Sequence, residues 1–119
     1  MVVKKRQFPI KIGPFTYIVL FDNAELALRD RDKGGDSTYG EIVFETGMIY
    51  IRHDMESSFE KETVLHEINH GVMNICGLFD EQIPKVDNEW IVRTTSPVWL
   101  QIWTDPLNKE FRDYILEGV

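Results

Sequence analysis

The apolar pattern that follows residue 56 is the feature of the sequence that most constrains its fold. Apolar side chains recur there at the three- and four-residue spacing of one helix face: Val64, Leu65, Ile68, Val72 and Ile75. Ser57 stands three residues before Glu60 in a capping-box pattern, and Gly77 is a natural stop. The sequence therefore predicts a long helix over residues 58–76, with one face that must pack against another layer.

The residues before this helix predict a sheet as the other layer. Residues 15–21 are aromatic and β-branched, which is typical of a strand. Two shorter runs, 39–45 and 48–52, flank a Thr-Gly pair and predict a hairpin. Between these strands, residues 23–29 favour a short helical turn.

Two further helices are predicted after the long one. The first begins near Asp87 or Asn88, and Pro97 predicts a kink or a break within it. Asp105 and Pro106 start the second, with Asp as the N-cap and Pro at the first helical position.

These elements together predict one α+β domain over residues 1–119. An N-terminal antiparallel sheet or hairpin is expected to pack on the long helix, and two more helices follow. A chain of 119 residues suits one modest hydrophobic core. Trp90, Trp99 and Trp103 are expected to pack the second helix against the first helix and the sheet.

Charge and composition argue against several classes of function. The formal net charge is −7 and the one basic run, residues 4–6, is short, which argues against a nucleic-acid-binding surface. No stretch approaches the roughly 18 apolar residues of a membrane-spanning helix, and no apolar signal-peptide core is evident. Cys76 is the only cysteine, so no intrachain disulfide can form. These features predict a cytoplasmic protein.

Residues 66–70 read His-Glu-Ile-Asn-His, an H-E-x-x-H pattern inside the predicted long helix. Residues four apart lie on one helix face with Cβ atoms about 5–6 Å apart, so His66 and His70 can bind one zinc ion through bonds of about 2.0–2.1 Å. Glu67 is displaced around the helix, so it can reach a water at an open metal position. The pattern therefore predicts two metal ligands and one general base.

This division of roles indicates metal-assisted amide hydrolysis. Zinc lowers the pKa of a bound water to about 7 in favourable sites. Glu67 would accept the proton as the water attacks a carbonyl carbon, and would pass it to the leaving amine. A histidine pair that shares a helix without binding metal is the alternative interpretation.

A catalytic zinc usually has three protein ligands, so a third ligand is required. Cys76 lies ten residues after His66, as in a longer form of the motif, but Met73 stands where that form needs glycine. His53 follows the hairpin and is another candidate. Glu89 is the strongest one, because it opens the next helix, which must pack against the first. Nearby acids are alternatives: Asp80, Glu81 and Asp87.

The H-E-x-x-H motif followed by Glu89 on a later helix resembles the gluzincin metallopeptidases. The short hairpin–helix–helix order is similar to their minimal phage-type and ImmA/IrrE-like members. The resemblance covers about residues 39–117. It implies that His66, His70 and Glu89 are the zinc ligands and that Glu67 is the base.

The resemblance also implies that residues 48–52 form an edge strand that binds an extended peptide. The sequence departs from the larger gluzincins in two respects. Arg93 stands where they carry an Asp that orients a ligand histidine. No downstream histidine is present to stabilise the oxyanion, which leaves four alternatives: Tyr39, Tyr50, His53 and Arg93.

The predicted function is therefore a zinc-dependent peptidase with a narrow range of protein or peptide substrates. The second hypothesis is a non-catalytic, zinc-stabilised interaction or regulatory module, for instance a phage-encoded one. Retention of Glu67 favours the enzyme, because a structural zinc site needs no base.

Overall fold

A computed structural model describes residues 6–32, 39–78 and 87–117, and it has the predicted α+β class. The strands are β1 (Gln7–Ile12), β2 (Phe15–Phe21), β3 (Gly40–Val43) and β4 (Met48–Ile51). The helices are α1 (Asn23–Asp32), α2 (Ser57–Ile75), α3 (Asn88–Thr104) and α4 (Lys109–Leu116), and a 3-10 turn (Pro106–Asn108) precedes α4.

The four strands form one mixed sheet in the order β1-β2-β4-β3. The outer pairs are antiparallel, whereas β2 and β4 are parallel. The prediction of an antiparallel sheet is therefore wrong for the central pair, because α1 and β3 form a crossover between β2 and β4. The prediction that residues 48–52 form an edge strand is also wrong. β4 lies inside the sheet, and β3 is at its edge.

Strand β1 was not predicted from the sequence, because Pro9 and Lys11 interrupt its apolar residues. These two side chains lie on one face of the strand, and the alternate residues Phe8, Ile10 and Ile12 are buried on the other. Proline is tolerated in β1 because it is an edge strand, where one side of the backbone has no ladder partner.

Helix α2 confirms the predicted helix to within one residue at each end, but its N-cap differs from the prediction. The Glu56 carboxylate accepts hydrogen bonds from the backbone N–H groups of Ser58 and Phe59 at 3.0 and 3.1 Å. Ser57 is the first helical residue instead of the cap. The apolar face of α2 packs on the sheet through fully buried side chains: Val64, Ile68 and Val72 from the helix, and Val19, Ile49 and Ile51 from the strands.

Helix α3 is continuous, so of the predicted kink or break at Pro97 the break is absent. The hydroxyls of Thr95 and Ser96 donate to the backbone carbonyls four residues earlier, at 2.8 and 2.5 Å, within the turn that precedes the proline. The tryptophan prediction holds in part. Trp99 packs against the core, whereas Trp90 is 46% exposed and Trp103 is 38% exposed.

The free edge of β1 is covered by polar side chains. The buried Asn108 side chain accepts from the Lys11 N–H at 2.6 Å and donates to the Lys11 carbonyl at 2.9 Å. Gln101 accepts from the Gly13 N–H at 2.7 Å and donates to the Lys11 carbonyl at 3.0 Å. These side chains hold α3 and the 3-10 turn against the sheet and occupy the outward backbone groups at the C-terminal end of β1.

Candidate metal centre

His66 and His70 lie one turn apart on the exposed face of α2, and their ring nitrogens converge. The two Nε2 atoms are 3.1 Å apart, and the rings meet edge to face with centroids 4.7 Å apart. Nitrogens that share a tetrahedral zinc at about 2.0–2.1 Å lie about 3.3 Å apart. The pair therefore has the geometry of a two-histidine chelate. The same separation also suits an N–H···N hydrogen bond between neutral rings.

Glu67 is close to both histidines, although its side chain points inward from the helix. Ligand atoms of His66, Glu67 and His70 all lie within 4.8 Å of one another. Glu67 is only 7% exposed. Burial raises the pKa of its carboxyl group, while the His70 and His66 charges and a hydrogen bond from the Ile42 backbone N–H oppose this rise. The arrangement suits a proton acceptor shielded from bulk water.

Strand β3 lies against Glu67 and donates a hydrogen bond to it from the Ile42 N–H. The Arg52 N–H donates to the Tyr39 carbonyl at 2.9 Å, which fixes the hairpin register. Because Tyr39 bonds to β4, alternate residues of β3 such as Ile42 point their N–H and carbonyl groups away from β4, toward the outer edge of β3. Within the described part of the chain, β3 pairs only with β4, and the Ile42 N–H on its outer edge donates to Glu67.

Gly40 allows β3 to approach α2 closely, a role that the sequence analysis missed. A Cβ atom at this position would lie 3.0 Å from Thr63 Cγ2 and 3.1 Å from Glu67 Cγ. Both contacts are tighter than most Cβ contacts in proteins, so any larger residue must displace the side chains beneath it. The sequence signal that could have predicted this role is a glycine at the start of β3, a strand that packs on the helix of the H-E-x-x-H motif.

For the peptidase that the sequence predicts, Gly40→Ala should lower cleavage about ten- to a hundredfold, because a small displacement of Glu67 would misplace the predicted base. Zinc affinity should change little, since the three atoms nearest to the new methyl group belong to Thr63, Glu67 and Ile51. Overpacking should destabilise the fold by about 1–3 kcal/mol. Thermal unfolding and steady-state cleavage measure the two effects. Adding Thr63→Ser, which removes Cγ2, should recover stability but not activity. Wild-type activity in Gly40→Ala would contradict this role for Gly40.

Glu89 is not part of the converging cluster. It lies in the first turn of α3, and its carboxylate accepts from Arg93 Nε at 2.8 Å. Both side chains are largely exposed, at 70% and 80%. An exposed pair of this kind contributes little free energy, so it does not fix Glu89 strongly. The assignment of Glu89 as third ligand stays a prediction.

The other candidate ligands have different surroundings. The Cys76 thiol donates to the Thr94 carbonyl at 3.4 Å, and burial raises its pKa, both of which suit a packed thiol. His53 is exposed beyond the end of β4. Asp87 caps α3 by accepting from the Trp90 N–H at 2.7 Å. The remaining predicted alternatives lie outside the described residues: Asp80 and Glu81.

A cavity of about 360 Å³ opens beside the cluster, on the N-terminal side of Glu67 along α2. Its lining residues come from β3, the residue before it, and α2: Tyr39, Gly40, Phe59, Glu62, Thr63, His66 and Glu67. Tyr39 is the only one of the four oxyanion candidates that lines it. Tyr50 lies on the opposite face of the sheet, where the Arg29 guanidinium is 5.4 Å from its ring centroid. Phe59 was missed in the sequence because it looked like an ordinary apolar helix residue.

A comparison of the chain with protein-family models, curated proteins and solved structures finds no match. None of the helices in residues 6–32, 39–78 and 87–117 combines the length and the apolarity needed to cross a bilayer.

Proposed function

We propose that the protein is a zinc-dependent peptidase. The observation that carries the proposal is the convergence of two imidazole nitrogens, 3.1 Å apart, next to the buried carboxylate of Glu67. Neither a histidine pair alone nor a buried carboxylate alone would support hydrolysis. Their combination provides a metal chelate and a proton acceptor within one site.

His66 and His70 would hold the zinc ion, which supplies Lewis-acid polarisation of water and of the substrate carbonyl when it is bound. Glu67 accepts the proton of the attacking water and transfers it to the leaving amine. A hydrogen bond from the Ile42 N–H would limit the movement of the carboxylate during this cycle. Burial beneath β3 favours the protonated form of Glu67 that the second half of the cycle requires.

The peptide substrate would bind along the outer edge of β3. An extended peptide that pairs with this edge would run past Glu67. This assignment replaces residues 48–52, which belong to an interior strand. Asn108 occupies the outward backbone groups of Lys11 on β1, which favours the edge of β3 for this pairing.

Zinc binding tests the proposal directly. Wild-type protein should bind about one Zn²⁺ per chain, as measured by metal analysis and chelator competition. His66→Ala and His70→Ala should each weaken zinc affinity by more than about a hundredfold, since even changes beside a ligand cost about 10–100-fold. His53→Ala, which removes an exposed histidine outside the cluster, is the matched control.

Glu89→Gln distinguishes a zinc site in which Glu89 is the third ligand from one in which it is not. A comparable loss of zinc affinity would support Glu89 as third ligand, and unchanged affinity would exclude it. Failure of the wild-type protein to bind zinc at micromolar concentration would overturn the proposal. That result would favour a histidine pair joined by its own hydrogen bond.

A second candidate function rests on the position of Glu89 outside the cluster. If Glu67 itself binds the metal, the three clustered residues form a structural site and the protein is a zinc-stabilised interaction module. Glu67→Gln would then weaken zinc binding, whereas loss of a general base leaves it intact. A cytoplasmic location and a relation to phage-type proteins stay predictions from the sequence.

A further inference from the structure

We infer that the cavity beside Glu67 binds a basic side chain, lysine or arginine, of the peptide substrate. This inference rests on the proposed function, because it assigns a specificity subsite to the same centre. The cavity reaches Gly40 at the start of β3. A peptide paired with the edge of β3 directs alternate side chains to one face, so one of them can enter the cavity while the backbone passes Glu67.

Two aromatic rings line the cavity. Tyr39 and Phe59 meet edge to face at 87°, with ring centroids 5.2 Å apart. Both remain open to solvent, at 50% and 42% exposure, although each ring has a large apolar surface. Aromatic faces attract cations through their quadrupole and also cover the methylene stem of a lysine or arginine.

The charges around the cavity also favour a basic side chain. Among the lining residues that the structure describes, Glu62 and Glu67 are the carboxylates, and none is a lysine or arginine. Among the described residues, Arg52 has its guanidinium 5.8 Å from the Tyr39 ring centroid, but it does not line the cavity. The whole chain has a net charge of −7, which steers basic peptides toward the protein. A basic side chain therefore complements the cavity better than an acidic one.

Glu62 is the exposed carboxylate among the lining residues of the cavity. It is an exposed residue one turn before His66 on α2, so it lies at the mouth of the cavity instead of its floor. An ammonium or guanidinium group can keep part of its hydration there and pair with this carboxylate, while its stem contacts Tyr39 and Phe59. An uncharged side chain of the same length would gain only the stem contact.

A matched peptide pair tests this inference. The peptides are acetyl-Ala-Ala-Lys-Ala-Ala-amide and the same sequence with norleucine, which keeps the lysine stem but removes its charge. Binding is measured without added metal, by titration followed through the NMR signals of Tyr39 and Phe59, so that cleavage is not needed. Wild-type protein should bind the lysine peptide about fivefold more tightly. Glu62→Gln should bring the two affinities close together.

Glu110→Gln is the control, because it removes the same charge from an exposed residue of α4 that lines a different cavity. It should keep the lysine preference. Equal binding of the two peptides, tighter binding of norleucine, or no binding of either up to millimolar concentration would overturn the inference. Cleavage separates it from the proposed function. Cleavage without a lysine preference would contradict the proposed subsite but not the proposed peptidase function. Lysine-selective binding without zinc-dependent cleavage would contradict the peptidase function but not the subsite.

Discussion

Glu67→Gln is expected to retain zinc binding and to reduce peptide cleavage by at least about a thousandfold. General acid–base catalysis contributes about 10²–10⁴-fold, and glutamine cannot accept a proton from water at neutral pH. The amide is close in size to the carboxylate, so the packing beneath β3 should persist. The experiment compares zinc stoichiometry, zinc affinity and single-turnover cleavage for wild type and variant.

Glu45→Gln serves as the control for this experiment, because Glu45 is an exposed residue of the β3–β4 turn. It should leave both zinc affinity and cleavage unchanged. Cleavage by Glu67→Gln at the wild-type rate would show that Glu67 is not the base. A large loss of zinc affinity in Glu67→Gln would instead identify Glu67 as a metal ligand, and would favour the interaction module over the enzyme.

The parts of the structure that sequence predicted well depend on local geometry. Helix α2 follows from apolar residues at helical spacing, and its two histidines are neighbours because i and i+4 positions share a face. The helical turn predicted over residues 23–29, which is part of α1, and the β3–β4 hairpin also follow from local propensity and from the positive φ of Gly47, at 69°. None of these depends on how distant parts of the chain meet.

The parts that sequence did not predict depend on distant contacts. Parallel pairing of β2 with β4 is set by a crossover, and it alone decides that β3, and not residues 48–52, is the edge strand. The cavity depends on Tyr39 meeting Phe59 across twenty residues of chain. Placing Glu89 would require the packing angle between α2 and α3, which residue spacing does not encode.

The covered edge of β1 shows how distant contacts also support the site. Asn108 is fully buried and lies 97 residues from Lys11, whose N–H and carbonyl it binds. It also donates to the Ile102 carbonyl at 3.0 Å, which links the sheet to the last turn of α3. Because Asn108 occupies the outward backbone groups of Lys11, the proposed strand addition is expected at β3, beside Glu67.

Asn108→Ala is accordingly expected to destabilise the protein by about 3 kcal/mol or more, since buried backbone groups that lose a partner cost about 1–3 kcal/mol each. Urea unfolding would measure the change. Asn88→Ala, at an exposed asparagine in the first turn of α3, should stay within about 0.5 kcal/mol of wild type. The exposed β1 edge should also increase self-association, detectable by light scattering. Unfolding of the Asn108 variant at the wild-type urea concentration would show that this side chain does not hold the β1 edge.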